Sequence, residues 1–186
     1  MLYLKYITIL AFAGSVLFCY SVTNSFAQEK KEKEKVRVSP KALITQTVGY
    51  TDVTISYSRP GVKGRKIWGD LVPYDKVWRA GANEATKFTF STDVMIEGKK
   101  LPAGSYGFFT IPGKDKWTVI FNNVADQWGA FEYNESKDAL RFTVKPEQHD
   151  FTEWLQYDIT RTSDSTATVS LEWENLKVPF KIEVKI

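Results

Sequence analysis

The chain has 186 residues, and its 25 lysines and arginines against 22 aspartates and glutamates give a formal net charge of only +3. Because the basic residues are spread along the chain, bulk electrostatics give no reason to expect nucleic-acid binding. The single histidine, His149, excludes a histidine-rich zinc site, and the single cysteine, Cys19, excludes an intramolecular disulfide.

The first 27 residues have the pattern of a secretory signal peptide. One lysine precedes an almost wholly apolar run from residue 7 to residue 20, and Ser25-Phe26-Ala27 ends on the small residues that a signal peptidase prefers. The apolar run is short for a membrane span, so no transmembrane segment is expected in the mature chain. Phe18 precedes Cys19 where a lipoprotein signal would place a small residue. The pattern predicts an exported chain, periplasmic, cell-surface or secreted, that loses its only thiol on cleavage.

Residues 28–35 mix lysine and glutamate without any apolar residue. Such a segment cannot bury a face, so we expect a charged, disordered tether. The folded unit is then expected to span residues 36–186, and about 150 residues suit a single domain with its own core.

Alternation of apolar and polar residues recurs down this unit and is typical of half-buried antiparallel strands. The stretches with this pattern are Val53–Tyr57, Phe88–Phe90, Tyr106–Phe108, Trp117–Phe121, Leu140–Val144, Ala167–Trp173 and Phe180–Ile186. Eight to ten short strands predict an all-β, antiparallel β-sandwich of Greek-key or jelly-roll type, with a closed barrel of lipocalin type as the alternative. Very little helix is expected beyond short turns near residues 73–77 and 135–139.

The stretch from residue 59 to residue 86 has neither strand nor helix periodicity. It contains three of the chain's six arginines, interleaved with Gly, Pro, Trp, Asn and Glu. An irregular segment rich in guanidinium groups predicts a ligand pocket, because arginine donates in a planar fork to carboxylate, phosphate or sulfate. Trp68, Trp78 and Trp128 are candidate stacking walls, as in many sugar-binding clefts.

The alternation of side chains along a strand predicts that two charged residues face the core side. Arg59 shares the parity of Val53 and Tyr57, and Glu153 that of Leu155, which makes Arg59 and Glu153 a candidate pair at one end of the sandwich. If the strands begin later, both charges lie in solvent instead. The candidate ligand-binding residues are Arg59, Lys63, Arg65, Trp78, Arg79, Asn83, Glu84 and Glu153.

The predicted function is binding of a polar, anionic or carbohydrate-like ligand, without cofactor or metal. One alternative is an envelope-directed hydrolase that uses Glu84 or Glu153 as acid or base. Another is an architectural motif whose arginines bridge carboxylates and backbone carbonyls. His149 lies in the polar run 145–150, which is expected to be a loop, and no Gly-x-Ser-x-Gly elbow presents a serine to it.

Several motifs resemble the DUF2911 family. They include Tyr57-Ser58-Arg59-Pro60, the block from Trp78 to Thr86 (Trp-Arg-Ala-Gly-Ala-Asn-Glu-Ala-Thr), Leu101-Pro102-Ala103-Gly104 and Gln127-Trp128-Gly129. The resemblance covers nearly the whole folded unit and implies an exported or surface protein of a type found mainly in Bacteroidota-like bacteria. It implies no catalytic residue or ligand.

Overall fold

The computed structural model describes residues 36–186; the predicted signal peptide, the predicted tether and Cys19 lie outside the described residues. The described part forms ten strands and one short 3₁₀ helix. In chain order these are β1 (Lys41–Val48), β2 (Thr51–Ser58), β3 (Thr86–Phe90), β4 (Val94–Ile96), β5 (Lys99–Leu101), β6 (Gly104–Ile111), β7 (Trp117–Asn122), the 3₁₀ helix (Glu135–Lys137), β8 (Asp138–Val144), β9 (Glu147–Arg161) and β10 (Thr166–Val184).

The strands form two antiparallel sheets. One sheet has six strands in the order β1-β2-β3-β6-β7-β8, and the other has four in the order β5-β4-β10-β9. The larger of two clusters of buried side chains draws on both sheets, which is the arrangement of two sheets packed face to face. The predicted all-β sandwich is therefore confirmed, and the alternative prediction of a closed barrel is wrong.

The predicted alternation is confirmed where strands pair regularly. Val53, Ile55 and Tyr57 are buried on β2, and Phe88 and Phe90 are buried on the neighbouring β3. The two stretches predicted near the C-terminus belong to one 19-residue strand, β10. Residues 73–77 form turns without a helix, whereas the turn predicted at 135–139 contains the 3₁₀ helix.

Parity fails on the first half of β9. The pairing of β9 with β10 shifts register on both sides of Glu174, so the alternation that buries Leu155 does not continue back to Phe151, which is 59% exposed. Glu153 lies in this shifted stretch and is half-buried, with its carboxylate bonded to the backbone N–H of Lys63. His149 lies on β9 rather than in a loop, with its Nε2 atom 3.4 Å from Oε2 of Glu172.

Aromatic side chains fill the interior in two groups. One group is made of phenylalanines from both sheets, including Phe88, Phe108, Phe121 and Phe180. The other, which we call the tryptophan cluster, consists of Trp68, Trp78, Trp117 and Trp173. Its members come from the β2–β3 connection, β7 and β10, so the cluster fastens this long connection to both sheets.

In the part of the chain from residue 36 onward, no helix has the length and apolar character needed to cross a bilayer.

Candidate functional site

The irregular segment predicted from the sequence is the β2–β3 connection, residues 59–85. It is held firmly at two places. The backbone of residues 60–62 pairs with β9, since Leu155 N donates to Pro60 O at 3.0 Å and Val62 N donates to Glu153 O at 2.8 Å. Further on, Trp78 and Thr110 exchange two backbone hydrogen bonds of 2.8 Å each. These bonds position the side chains between them on a fixed backbone.

The second half of the connection contains strained backbone. Ala80 and Asn83 have φ angles of 50° and 58°, in the left-handed region that disfavours residues with a side chain. The carbonyl of the fully buried Ala80 accepts hydrogen bonds from Thr86 Oγ1 at 2.9 Å and from Tyr157 OH at 2.8 Å. Such strain persists where surrounding contacts enforce it, and it often marks functional positions. Here it fixes the direction of Arg79 and Asn83.

A cavity of about 320 Å³, which we call the cationic cavity, opens beside this connection. Its polar lining side chains include Lys63, Arg65, Arg79 and Asn83, and the buried Trp78 and Trp173 lie behind them. Among residues 36–186, none of those that line it is acidic. The cavity therefore combines three positive charges with some apolar surface, which is suited to an anionic group on a small organic molecule.

Arg79 is the residue that distinguishes this cavity. Its side chain is half-buried, and its Nε atom is buried without a hydrogen-bond partner in the described part of the chain. Burial lowers the pKa of Arg79, because it removes water from around the charged guanidinium. An uncompensated guanidinium is costly in a folded protein, so this arrangement is one that an incoming anion would relieve.

The other two arginines of the connection are used within the fold. Arg59 Nε donates to Leu155 O at 2.9 Å, and its Nη2 lies 3.4 Å from Trp154 O. Arg65 folds back on its own loop, donating from Nε to Val62 O at 3.1 Å and from Nη2 to Gly61 O at 2.5 Å. The architectural interpretation therefore holds for Arg59. It holds only in part for Arg65, because Arg65 also lines the cationic cavity.

The predicted pair of Arg59 with Glu153 is wrong. Arg59 is satisfied by backbone carbonyls of β9, whereas Oε1 of Glu153 accepts the backbone N–H of Lys63 at 2.9 Å. Lys63 in turn places its Nζ atom 5.5 Å from the ring centre of Trp154. Glu153 thus fixes the loop that carries Lys63 and is not a lining residue of the cationic cavity.

Glu84 belongs to a different surface. Both of its carboxylate oxygens accept from Arg37 at 2.7 Å, and Oε1 also lies 3.2 Å from Lys41 Nζ. The hydrogen bonds from Arg37 are the main cause that lowers the pKa of Glu84 to about 2. Glu84 lines a second cavity of about 350 Å³, together with Trp128 and Lys87 among others.

The Glu84 pair predicts a stability change in acid. Because the pKa of Glu84 is lowered from 4.5 to about 2, the pair stabilises the folded state above pH 4.5, and this contribution is lost as the pH falls toward 2. Because solvent screens this pair, Glu84→Gln should lower the free energy of unfolding by only about 1 kcal/mol at neutral pH. The free energy of unfolding should also fall less steeply in the variant as the pH drops from 4.5 toward 2. Urea unfolding between pH 7 and pH 2 measures both effects.

The matched control for this acid effect is Glu183→Gln. The Glu183 side chain is 42% exposed, against 37% for Glu84, and its single ion-pair partner is Lys181 at 3.1 Å. Equal losses in the two variants would contradict the role given to the Arg37 pair.

The three predicted stacking tryptophans are separated. Trp78 lies in the tryptophan cluster and reaches the cationic cavity, Trp68 lies in the cluster only, and Trp128 is 61% exposed beside the second cavity. Two residues beside the cavities were not predicted from the sequence. The sequence around Trp173 indicates only an ordinary core residue of a strand. Arg37 lies before the first strand, where no sequence pattern connects it with Glu84.

Within residues 36–186, no group of three or more His, Cys, Asp or Glu side chains is arranged to hold a metal ion.

These features define an antiparallel β-sandwich domain whose β2–β3 connection carries a cationic cavity. The chain belongs to the family described as "Protein of unknown function (DUF2911)", whose model matches residues 39–182. The matched range includes every residue that lines the two cavities except Val38, which lines the cationic one. Comparison with curated proteins and with solved structures gives no match.

Proposed function

We propose that this protein is an exported binding domain that holds the anionic group of a small polar or sugar-like ligand in the cationic cavity. The observation that carries this proposal is the half-buried guanidinium of Arg79, whose Nε atom has no hydrogen-bond partner among residues 36–186. A carboxylate, phosphate or sulfate in the cavity would compensate its charge through charge-assisted hydrogen bonds to the guanidinium.

The electrostatics of the cavity favour a bound anion. Lys63, Arg65 and Arg79 all line it without an acidic neighbour in the lining, so each raises the cost of the others' charge. An anion reduces this repulsion as it binds, and the partial burial of Arg79 strengthens that attraction relative to an exposed site. The expected ligand is therefore bound mainly through its charge.

The shape of the cavity limits the size of the ligand. A volume of about 320 Å³ is at the lower end of the range for small-molecule sites. Val38, Pro60 and Leu71 provide apolar surface beside the cations. A monosaccharide-sized molecule with one acidic group matches both the volume and the polarity.

The contacts of the two carboxylates favour binding over hydrolysis. Glu84 is ionised over the whole physiological range, because Arg37 and Lys41 lower its pKa to about 2, so it is a poor general acid. Glu153 accepts the backbone N–H of Lys63 and lines neither of the two cavities. An acid–base pair on one substrate would require both carboxylates to face the same space.

Thermal unfolding of the wild type and of Arg79→Met tests the proposal. Methionine keeps much of the aliphatic packing and removes the charge. With sulfate, phosphate, citrate, glucuronate and galacturonate at constant ionic strength, we expect at least one anion to raise the wild-type Tm. A ligand at about ten times its Kd should give a rise of about 3–6 °C, and the Arg79→Met variant should lose it.

Arg161→Met is the matched control, because Arg161 is exposed at the end of β9, where it pairs with Asp164. Sulfate and phosphate stabilise most proteins by exclusion from their surfaces, and this general effect should be equal in all three proteins. Binding is therefore measured by how much more an anion raises the Tm of the wild type and of Arg161→Met than it raises the Tm of Arg79→Met. If every anion shifts all three proteins equally, the proposal is wrong.

A further inference from the structure

The second cavity, beside Trp128, has a rigid aromatic wall. Trp128 is 61% exposed, yet the backbone around it is held on both sides: Ala85 N donates to Gln127 O at 2.9 Å, and Gly129 N donates to Asn83 O at 3.0 Å. An exposed indole on a fixed backbone loses little conformational entropy when a flat ligand stacks against it.

The neighbouring side chain, Gln127, has an unused acceptor. It is only 9% exposed, and its Nε2 atom donates to Val124 O at 2.7 Å. Its Oε1 atom is buried and has no hydrogen-bond partner within residues 36–186, although Gln127 lines the second cavity. The orientation of the amide is fixed, because the carbonyl of Val124 can only accept. An unsatisfied acceptor just behind a cavity wall favours a ligand that brings a donor, such as a hydroxyl group.

The charges of this cavity are balanced, unlike those of the cationic cavity. Glu84 pairs with Arg37 and Lys41, and Lys87 Nζ lies 2.8 Å from Asp126 Oδ1. The cavity therefore offers several donors and acceptors without a strong net field. This chemistry suits a neutral ligand with many hydroxyl groups better than an ion.

We propose that the second cavity binds a neutral saccharide, with one pyranose ring stacked on Trp128. The C–H face of such a ring is apolar and flat, and its hydroxyl groups lie at the edge, where Gln127, Glu84 and the Lys87–Asp126 pair provide partners. The site uses none of the three cations of the cationic cavity, so it does not depend on the function proposed above.

Isothermal titration with cellotriose, maltotriose and chitotriose tests this proposal on a chain that begins at residue 28. We expect at least one trisaccharide to bind the wild type with a millimolar Kd. Binding should be about tenfold weaker in Trp128→Ala, partly retained in Trp128→Phe, and weaker in Gln127→Leu. Trp154→Ala is the matched control, because Trp154 is also surface-accessible, at 37%, and does not line the cavity.

The two proposed sites are separated by one further variant. Arg79→Met should bind the trisaccharide as the wild type does, whatever it does to anion binding. The saccharide proposal is overturned if none of the three probes binds at about 10 mM, a concentration that detects even weak single-ring contacts. It is also overturned if Trp128→Ala binds as tightly as Trp154→Ala.

Discussion

Replacing Trp173 with alanine is expected to lower the free energy of unfolding by about 3–5 kcal/mol. The Trp173 side chain is fully buried on β10. It stacks on Trp78 with ring centres 5.9 Å apart, meets Trp68 edge-on at 5.7 Å, and donates from Nε1 to Glu153 O at 3.3 Å. Alanine would leave a large void, remove one of the two hydrogen bonds to the Glu153 carbonyl, and loosen the packing of the β2–β3 connection on the second sheet.

Urea unfolding at neutral pH measures this loss. Domains of this size have a total stability of about 5–15 kcal/mol, so Trp173→Ala can leave little folded protein, and Trp173→Phe supplies a milder variant. Trp128→Ala is the control, since it removes the same number of atoms from an exposed position and should cost less than about 1 kcal/mol. Equal losses in Trp173→Ala and Trp128→Ala would contradict the role of the tryptophan cluster in closing this end of the sandwich.

The sequence predicts most of the fold because burial follows a period of two wherever the strands pair regularly. Val53, Ile55 and Tyr57 show this on β2, and Phe180, Ile182 and Val184 show it on β10. The prediction fails on the first half of β9, because two register shifts against β10 change which side chains face inward. A bulge of this kind depends on the partner strand and has no signature in the strand's own residues.

The sequence also predicts where the candidate site lies, but not what each arginine does. Gly, Pro and Arg in an aperiodic stretch identify the β2–β3 connection as a special loop. The partner of Arg59, however, is the carbonyl of Leu155, which is 96 positions away. Every residue carries a carbonyl, so no composition or spacing distinguishes this one. The unpartnered state of Arg79 is equally invisible, because it depends on which carboxylates the fold keeps away.

Two chain segments, residues 39–41 and residues 83–84, each contribute to both the cationic cavity and the second cavity. Ser39 and Asn83 line the cationic one, with Asn83 Nδ2 3.4 Å from Ser39 O, and Lys41 and Glu84 line the other, with an ion pair of 3.2 Å. The left-handed backbone of Asn83 lets adjacent residues serve different cavities. For this reason Glu84, predicted as part of the arginine site, lies apart from it.

Arg59→Met is expected to lower the free energy of unfolding by about 2–3 kcal/mol. On the edge of β9, Leu155 N donates to Pro60 O and Leu155 O accepts from Arg59 Nε, so residues 59–62 act as a partial extra strand that covers this edge. Methionine keeps some packing but leaves the Leu155 carbonyl without its donor, and a lost bond to a charged group costs more than a neutral one.

The stability of Arg79→Met distinguishes an arginine that holds the fold together from one that is available to a ligand. Within the described residues, the Arg79 side chain makes no hydrogen bond or ion pair that methionine would break, and burial disfavours its charge, so this variant should be as stable as the wild type or more so. Urea midpoints of both variants, with Arg161→Met as the exposed control, measure the difference without any ligand. If Arg79→Met loses as much as Arg59→Met, both arginines are architectural, and the cationic cavity is a consequence of loop packing rather than a binding site.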